Sequence, residues 1–169
     1  QVGLIDRIPR LAVIQAAGAA PFAHYFQSGF EEYEAVQADT VATAIKIGDP
    51  ASTPRARRSI EATHGWVTTV TDDEILEAKA LIDGVGIGCE PASAASLAGL
   101  KKLRAEGVIL PEHTAVGLLT GNILKDTDAV TSYHFDDVNG APRAAANRPL
   151  RVAAELSALE QALSDALHG

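Results

Sequence analysis

The chain has 169 residues, of which 47% are hydrophobic and only 5% aromatic, and its formal net charge is −8. This length suits one compact domain, or most of one, with a largely aliphatic core. The charge argues against nucleic acid and anionic membranes as partners. Cys89 is the single cysteine, and no apolar run approaches the roughly 18 residues of a membrane span, so we expect a cytoplasmic protein.

Short apolar runs alternate with helical patterns along the first two thirds of the chain. The predicted strands cover residues 11–15, 66–70, 87–89 and 114–119, of which the last has the clearest pattern. The predicted helices cover residues 19–26 and 53–63, a stretch after the capping box at 71–74, and a stretch from Pro91 to Gly107. This alternation predicts an α/β fold with a mostly parallel sheet flanked by helices.

The last part of the chain has a different pattern. Residues 131–147 show no clean periodicity and are predicted to form a loop, whereas residues 149–169 are predicted to form a terminal helix. The apolar stripe of that helix is Val152, Leu156, Leu159, Leu163 and Leu167. No repeat or low-complexity linker divides the chain, so residues 1–169 are interpreted as a single domain or a domain segment.

A helix start follows Glu90. Pro91 suits the first helical position, and the small residues after it let a ligand approach the backbone. The free N–H groups and the helix dipole there favour an anion or another hydrogen-bond acceptor. On spacing alone, an ordinary helix start that packs tightly on a sheet is the more frequent interpretation.

Two further segments are candidates for ligand contact. Thr120 ends the predicted strand 114–119, which would place its hydroxyl at the carboxyl edge of the sheet, where ligands bind in open α/β folds. A hydroxyl can donate to or accept from a heteroaromatic nitrogen without adding charge. Residues 42–50 carry small side chains that suit a segment lying against a flat ring. The alternative for Thr120 is a turn in which its hydroxyl bonds its own backbone. The alternative for residues 42–50 is a surface loop.

Several pieces of the chain, in order, resemble threonine synthase, a pyridoxal-phosphate (PLP) enzyme of the tryptophan-synthase-β-like fold. The pieces are residues 4–10 with 13–21, 40–52, 70–75, 89–95 and 119–126. Each piece is weak alone, but their common order across about three quarters of the chain is specific. The chain starts with Gln1 and contains no methionine, so we expect it to begin inside a longer protein.

The resemblance implies that the chain is part of the large domain of that fold. It implies a reaction in which O-phospho-homoserine and water give threonine and phosphate through a PLP-dependent β,γ-replacement. By the same resemblance, the Thr120 hydroxyl meets the pyridine nitrogen with Gly121 beside it, Ala44 lies near the cofactor ring, and Glu90 borders its edge. The implied partners are a small amino-acid substrate, the missing N-terminal part of the same enzyme, and a second copy in a homodimer.

The chain departs from the family pattern at two points. Asp49 replaces the usual asparagine of a Gly-Asn-Pro sequence, and Asn122-Ile123 replaces the usual His-Gly after Thr-Gly. Losing that glycine restricts the backbone beside the cofactor.

The Schiff-base lysine and the phosphate loop of the family belong to segments upstream of this region. The lysines of this chain, none in a Ser-Phe-Lys context, are Lys46, Lys79, Lys101, Lys102 and Lys125. Lys79, Lys101 and Lys102 are predicted to be solvated helix residues, and Lys125 to form an ion pair or a helix start. We therefore predict no catalytic residue here and no turnover by the isolated chain, which would supply one wall of the site.

Two alternative functions remain open. A threonine or serine dehydratase of the same fold would share most of these features. A stand-alone, non-catalytic α/β module that binds a metabolite or a partner protein is the alternative from another class, favoured by the missing lysine if the chain is complete. The histidines lack metal-ligand spacing, and Cys89 is predicted to be a small buried residue without a reactive thiolate.

Overall fold

A two-stranded parallel sheet organises the first part of the computed structural model, which describes residues 3–138 and 140–168. Strand β1 spans Ala12–Ala16 and strand β2 spans Trp66–Val70, and they pair in register from Ala12 opposite Trp66 to Ala16 opposite Val70. Both strands lie where the apolar and β-branched runs of the sequence predict them, which confirms an α/β architecture with parallel pairing.

The other main elements of the described residues are helices. They are α1 Pro21–Gln27, α2 Thr53–Ala62, α3 Asp72–Gly84, α4 Pro91–Ala105, α5 Thr127–Phe135 and α6 Leu156–His168. Single 3₁₀ turns occur at Ala17–Ala19, Thr43–Ile45 and Ile123–Lys125. A short antiparallel pair, β3 Asp137–Val138 with β4 Ala141–Pro142, follows α5.

Two apolar clusters hold the elements together. The larger joins α3, α4 and the ends of β1 and β2, with Ile75, Val70 and Cys89 fully buried within it. A smaller cluster, centred on Phe22, Ile60 and Val67, joins α1 and α2 to the sheet. Small residues on α4 allow a close approach to β1: a Cβ at Gly99 would lie 2.3 Å from Ile14 Cδ1.

The starts of α2 and α3 differ in their capping. The predicted capping box of α3 is confirmed, because Thr71 Oγ1 accepts from the Glu74 amide and the Glu74 carboxylate accepts from the Thr71 amide. The sequence Thr53-Pro54 predicts Thr53 as the N-cap of α2, and this prediction was wrong by one residue. Ser52 occupies the N-cap without a side-chain bond, and the Thr53 hydroxyl donates to the Pro50 carbonyl instead.

Two predicted strands are absent from the described part of the chain. Residues 87–89 and 114–119 have no ladder partner there, although their apolar runs are typical of strands. Much of the second run faces outward: Val116 is 79% exposed and Leu118 is 73% exposed. A strand needs a neighbour for its backbone hydrogen bonds, and these segments have none among the described residues.

The last part of the chain holds more structure than its pattern predicts. Helix α5 and the β3–β4 pair occupy much of the predicted loop 131–147, because the side chains of Tyr133 and His134 are buried against the core. Helix α6 begins at Leu156, later than the predicted residue 149, and residue 169 lies outside the described residues. The predicted stripe of α6 faces solvent.

Lys79 is not the solvated helix residue that its sequence context predicts. Its side chain is 3% exposed, and its ammonium group lies 2.6 Å from Asp83 Oδ2, one helical turn further on. The other oxygen of Asp83 accepts from the Cys89 amide, so the pair also ties the segment after α3 to the helix. Burial therefore selects an ion pair here, since an unpaired ammonium would be costly inside the core.

Lys101 and Lys102, which were also predicted to be solvated helix residues, differ from each other. Lys101 is half-exposed and pairs with Glu77, as a solvated helix residue can. Lys102 instead donates from its ammonium group to the carbonyl of Thr69 at 2.8 Å, which links α4 to β2.

Candidate functional site

The Ser93 hydroxyl joins the two motifs that the sequence singles out. Ser93 lies in the first turn of α4 and is 2% exposed. Its Oγ accepts from the amides of Thr120 and Gly121, each at 2.9 Å, and lies 3.4 Å from Thr120 Oγ1. The helix start after Glu90 and the Thr-Gly segment are therefore adjacent, although 27 residues separate Ser93 from Thr120 in the chain.

Glu90 reinforces the same junction from the N-cap of α4. Its amide donates to the Gly121 carbonyl at 3.1 Å, and its side chain, 3% exposed, lies against the Gly121 backbone. A Cβ at position 121 would overlap the Glu90 carboxylate, so any side chain there would require Glu90 to move. Lys125 Nζ lies 3.1 Å from Glu90 Oε2, which confirms the ion-pair interpretation of Lys125.

Ala44 lies on a turn that faces the same region. The turn Thr43–Ile45 packs against α4, and the Thr43 hydroxyl donates to Asp126 Oδ2 at 2.9 Å. This bond links the turn that carries Ala44 to the turn Ile123–Lys125, which follows Thr120 directly. Ala44 and Thr120 are both exposed, so a ligand can reach them from solvent.

The charges around the junction are unevenly distributed. The hydroxyls of Ser93 and Thr120 are uncharged. The charged pair of the junction, Glu90 with Lys125, lies on its Gly121 side. Burial raises the pKa of the neighbouring Cys89 thiol, and the carboxylates of Asp83 and Glu90 add to this rise against the opposing effect of Lys79. The thiol therefore stays protonated, in keeping with a structural cysteine.

The structure brings together the segments that the sequence singles out, through a connection that the sequence does not reveal. Glu90 contacts Gly121 directly, and Thr120 is bonded to the same helix start through Ser93. The turn that carries Ala44 is linked to the segment after Gly121 by the Thr43–Asp126 bond. Ser93 lies within the segment 89–95 that carries the resemblance, and its sequence context indicates no role for it. The only available signal was a hydroxyl among alanines in the first turn of a helix, which spacing cannot distinguish from an ordinary serine.

The sequence of this chain matches a known protein family. Residues 3–121 match the family described as "Pyridoxal-phosphate dependent enzyme". The chain belongs to this family of pyridoxal-phosphate dependent enzymes. The match covers both motifs of the junction, from the β1 region through the helix start after Glu90 to Gly121. The family match therefore agrees with the resemblance to a PLP enzyme found in the sequence.

Individual proteins similar to this chain give a more specific comparison than the family match. The chain is 36% identical over 169 residues to threonine synthase 2, chloroplastic, of Arabidopsis thaliana, covering 99% of this chain and 33% of that protein. It is 37% identical over 165 residues to threonine synthase of Methanocaldococcus jannaschii, covering 96% of this chain and 38% of that protein. The chain therefore spans little more than a third of the length of these relatives.

A solved structure shows the same fold at greater distance. The crystal structure of threonine synthase from Escherichia coli matches with a TM-score of 0.60 at 14% identity, covering 94% of this chain and 38% of that one. At this identity the likeness concerns the fold alone, and it supports the predicted α/β architecture. No helix of the described residues combines the length and apolarity needed to cross a membrane.

Proposed function

We propose that this chain forms the C-terminal part of a threonine synthase, which converts O-phospho-homoserine and water to threonine and phosphate with PLP as cofactor. The observation that carries the proposal is the junction at Ser93, which brings the Thr-Gly segment against the helix start after Glu90. The identity to threonine synthases from a plant and an archaeon supports the same assignment.

The described residues fit one side of a site for PLP. The Thr120 hydroxyl is exposed, neutral and held at its backbone, so it is suited to form a hydrogen bond with a pyridine nitrogen. When bound, the cofactor would supply the electron sink for reactions at the amino-acid carbons. We assign Thr120, Gly121, Ala44 and Glu90 to its binding, with Thr120 at the ring nitrogen, Ala44 near the ring face and Glu90 at the edge.

The chain's contribution is binding and orientation. The lysine that would carry the Schiff base is expected in an upstream segment, so the active site would be completed by another part of the same enzyme. We further propose that residues 1–169 form one structural unit of that enzyme, that the enzyme acts in the cytoplasm, and that it forms a homodimer. The buried, single Cys89 supports the reducing compartment.

The test uses the polypeptide made from the complete reading frame. Purified with PLP and then dialysed, it should retain the visible absorbance of bound PLP and release phosphate from O-phospho-homoserine while forming threonine. Formation of a keto acid from threonine or serine, without phosphate release, would assign the dehydratase alternative. Absence of retained PLP would favour the non-catalytic binding module.

Two variants tie the outcome to this chain. Thr120→Val should weaken PLP retention by about tenfold or less, the effect of one lost hydrogen bond, and Thr114→Val, in the same exposed segment, should not change it. The isolated 169-residue chain should retain no PLP after dialysis. A borohydride-reducible adduct on one of its own lysines would contradict the assignment of the Schiff-base lysine to another segment.

A further inference from the structure

The side chain of Ile123 lies on the backbone of Gly88, in the loop that leads to the helix start after Glu90. A Cβ added at Gly88 would lie 3.3 Å from Ile123 Cδ1, 3.4 Å from its Cβ and 3.5 Å from its Cγ2. Ile123 is half-buried, whereas the next residue, Leu124, is 78% exposed. An apolar contact therefore joins the two segments of the junction, in addition to their hydrogen bonds.

The turn Ile123–Lys125 connects this contact to the Thr-Gly segment. Asn122 follows Gly121 directly, and its Oδ1 accepts from the Leu124 amide at 2.9 Å, which ties the start of the turn to that residue. Isoleucine is branched at Cβ and has few accessible rotamers, so its side chain keeps a fixed direction relative to the turn. A shift of the turn away from Gly88 would therefore move Gly121 with it.

The loop before Glu90 has little side-chain packing of its own. Residues 84–87 are exposed, and glycines at positions 84, 86 and 88 give the loop unusual backbone freedom. The Cys89 amide holds the end of the loop to α3, because it donates to Asp83 Oδ1 at 3.2 Å. The Ile123 contact holds the same end to the Thr-Gly segment.

We infer that Ile123 is a positioning residue: by packing on Gly88, it holds the Thr120–Gly121 side of the proposed PLP site against the helix start after Glu90. The inference rests on the proposed function and deepens it. Ile123 also occupies a position where the chain departs from the family pattern, in which glycine is usual. Since glycine has no side chain to make this contact, the positioning belongs to this chain's own sequence.

The first measurement concerns the geometry alone and needs no cofactor. The Glu90 amide donates to the Gly121 carbonyl at 3.1 Å, so its hydrogen exchange reports opening of the junction. In the cofactor-free polypeptide of the complete reading frame, Ile123→Ala should accelerate this exchange by about three- to tenfold, through the loss of partly buried apolar carbons. Leu124→Ala is the matched control in the same turn and should leave the exchange unchanged. Equal effects of the two substitutions would overturn the inference.

Gly88 and Gly86 provide a second matched pair. Both have positive φ, +67° and +81°, so alanine is strained at either position. A Cβ at Gly88 would press on Ile123, whereas nothing lies within 4 Å of a Cβ at Gly86. Gly88→Ala should therefore accelerate exchange of the Glu90 amide more than Gly86→Ala does. Equal effects, or the reverse order, would contradict the contact.

The second measurement reads the cofactor. With PLP bound to the polypeptide of the complete reading frame, its release is followed by the loss of visible absorbance after transfer to excess PLP-free acceptor protein. Ile123→Ala should release PLP about three- to tenfold faster than the parent protein, because one side of the site is held less firmly. Ile123→Val keeps the Cβ and Cγ2 contacts and should restore the parent rate, and Leu124→Ala should match the parent.

The outcomes separate the inference from the proposed function. Should Ile123→Ala release PLP at the parent rate, the inference is wrong while the proposed function stands. Failure of Ile123→Val to restore the rate would also overturn the inference, since the packing contact would then not be the cause. Should the parent protein retain no PLP, the proposed function fails and the inference fails with it.

Discussion

Gly121 is a residue where the structure leaves no room for a side chain unless Glu90 moves. Glu90 occupies the space that a side chain at position 121 would need, with Oε1 only 1.9 Å from the site of an added Cβ. The Glu90 side chain is 3% exposed and its carboxylate pairs with Lys125, so moving it would disturb a buried carboxylate and its ion pair. A glycine in a Thr-Gly pair looks like a simple turn residue in the sequence, but here it makes room for a buried carboxylate.

We therefore expect Gly121→Ala to lower the free energy of unfolding by about 1–3 kcal/mol, the usual cost of overpacking. Urea denaturation of the parent and variant proteins measures this difference. Gly84→Ala is the control, since nothing lies within 4 Å of its added Cβ at the end of α3. That change should be neutral or stabilising by up to about 1 kcal/mol. Equal effects of the two substitutions would contradict the crowding argument.

Helices α2 and α3 show which features of an element the sequence can predict. Helix α3 has a capping box written in consecutive residues, and its predicted start is confirmed. Helix α2 begins with Ser-Thr-Pro, where two hydroxyls compete for the cap, and the structure uses neither as a side-chain cap. Local chemistry thus predicts a helix start well when the partners are three residues apart, and less well when two candidates are adjacent.

The difference between the two helix starts predicts unequal costs of removing the Thr71 and Ser52 hydroxyls. Thr71→Ala should destabilise the protein by about 1 kcal/mol, because the Glu74 amide loses its acceptor. Ser52→Ala should change the free energy of unfolding by less than about 0.5 kcal/mol, since the Ser52 side chain makes no cap bond. Chemical denaturation of both variants checks the difference. A larger loss for Ser52→Ala than for Thr71→Ala would show that the described cap is not the one that stabilises the helix.

At the scale of the whole molecule, His134 joins the last part of the chain to the core. Its ring is buried on α5, and Nδ1 accepts from the Asn147 amide at 3.0 Å, which requires this nitrogen to be unprotonated. Burial lowers the pKa of His134 below its ordinary value of 6.5; the carboxylate of Asp83 opposes this and the ammonium of Lys79 adds to it. Protonation would therefore break the bond and place a charge in the core.

This linkage predicts a pH dependence of stability. The folded protein holds the neutral ring at pH values where the unfolded chain already binds a proton, so stability is complete above about pH 6.5 and falls as the pH drops below it. The slope of unfolding free energy against pH in this range should become smaller in His134→Gln. His113→Gln is the control, because the His113 ring accepts from the Leu110 amide in the same way but is exposed. An unchanged slope in His134→Gln would exclude this source of acid sensitivity.

The sequence by itself determined the elements whose signals are local: the two paired strands, the capped start of α3, and the proline-led start of α4. The resemblance of its ordered pieces also predicted the family. Only the tertiary structure decided that the apolar run at 114–119 has no strand partner among the described residues, that Lys79 is buried in an ion pair, and that Ser93 joins two distant segments. The physical reason is that strand pairing, burial of charge and side-chain hydrogen bonding depend on neighbours far away in the chain, which local periodicity does not encode.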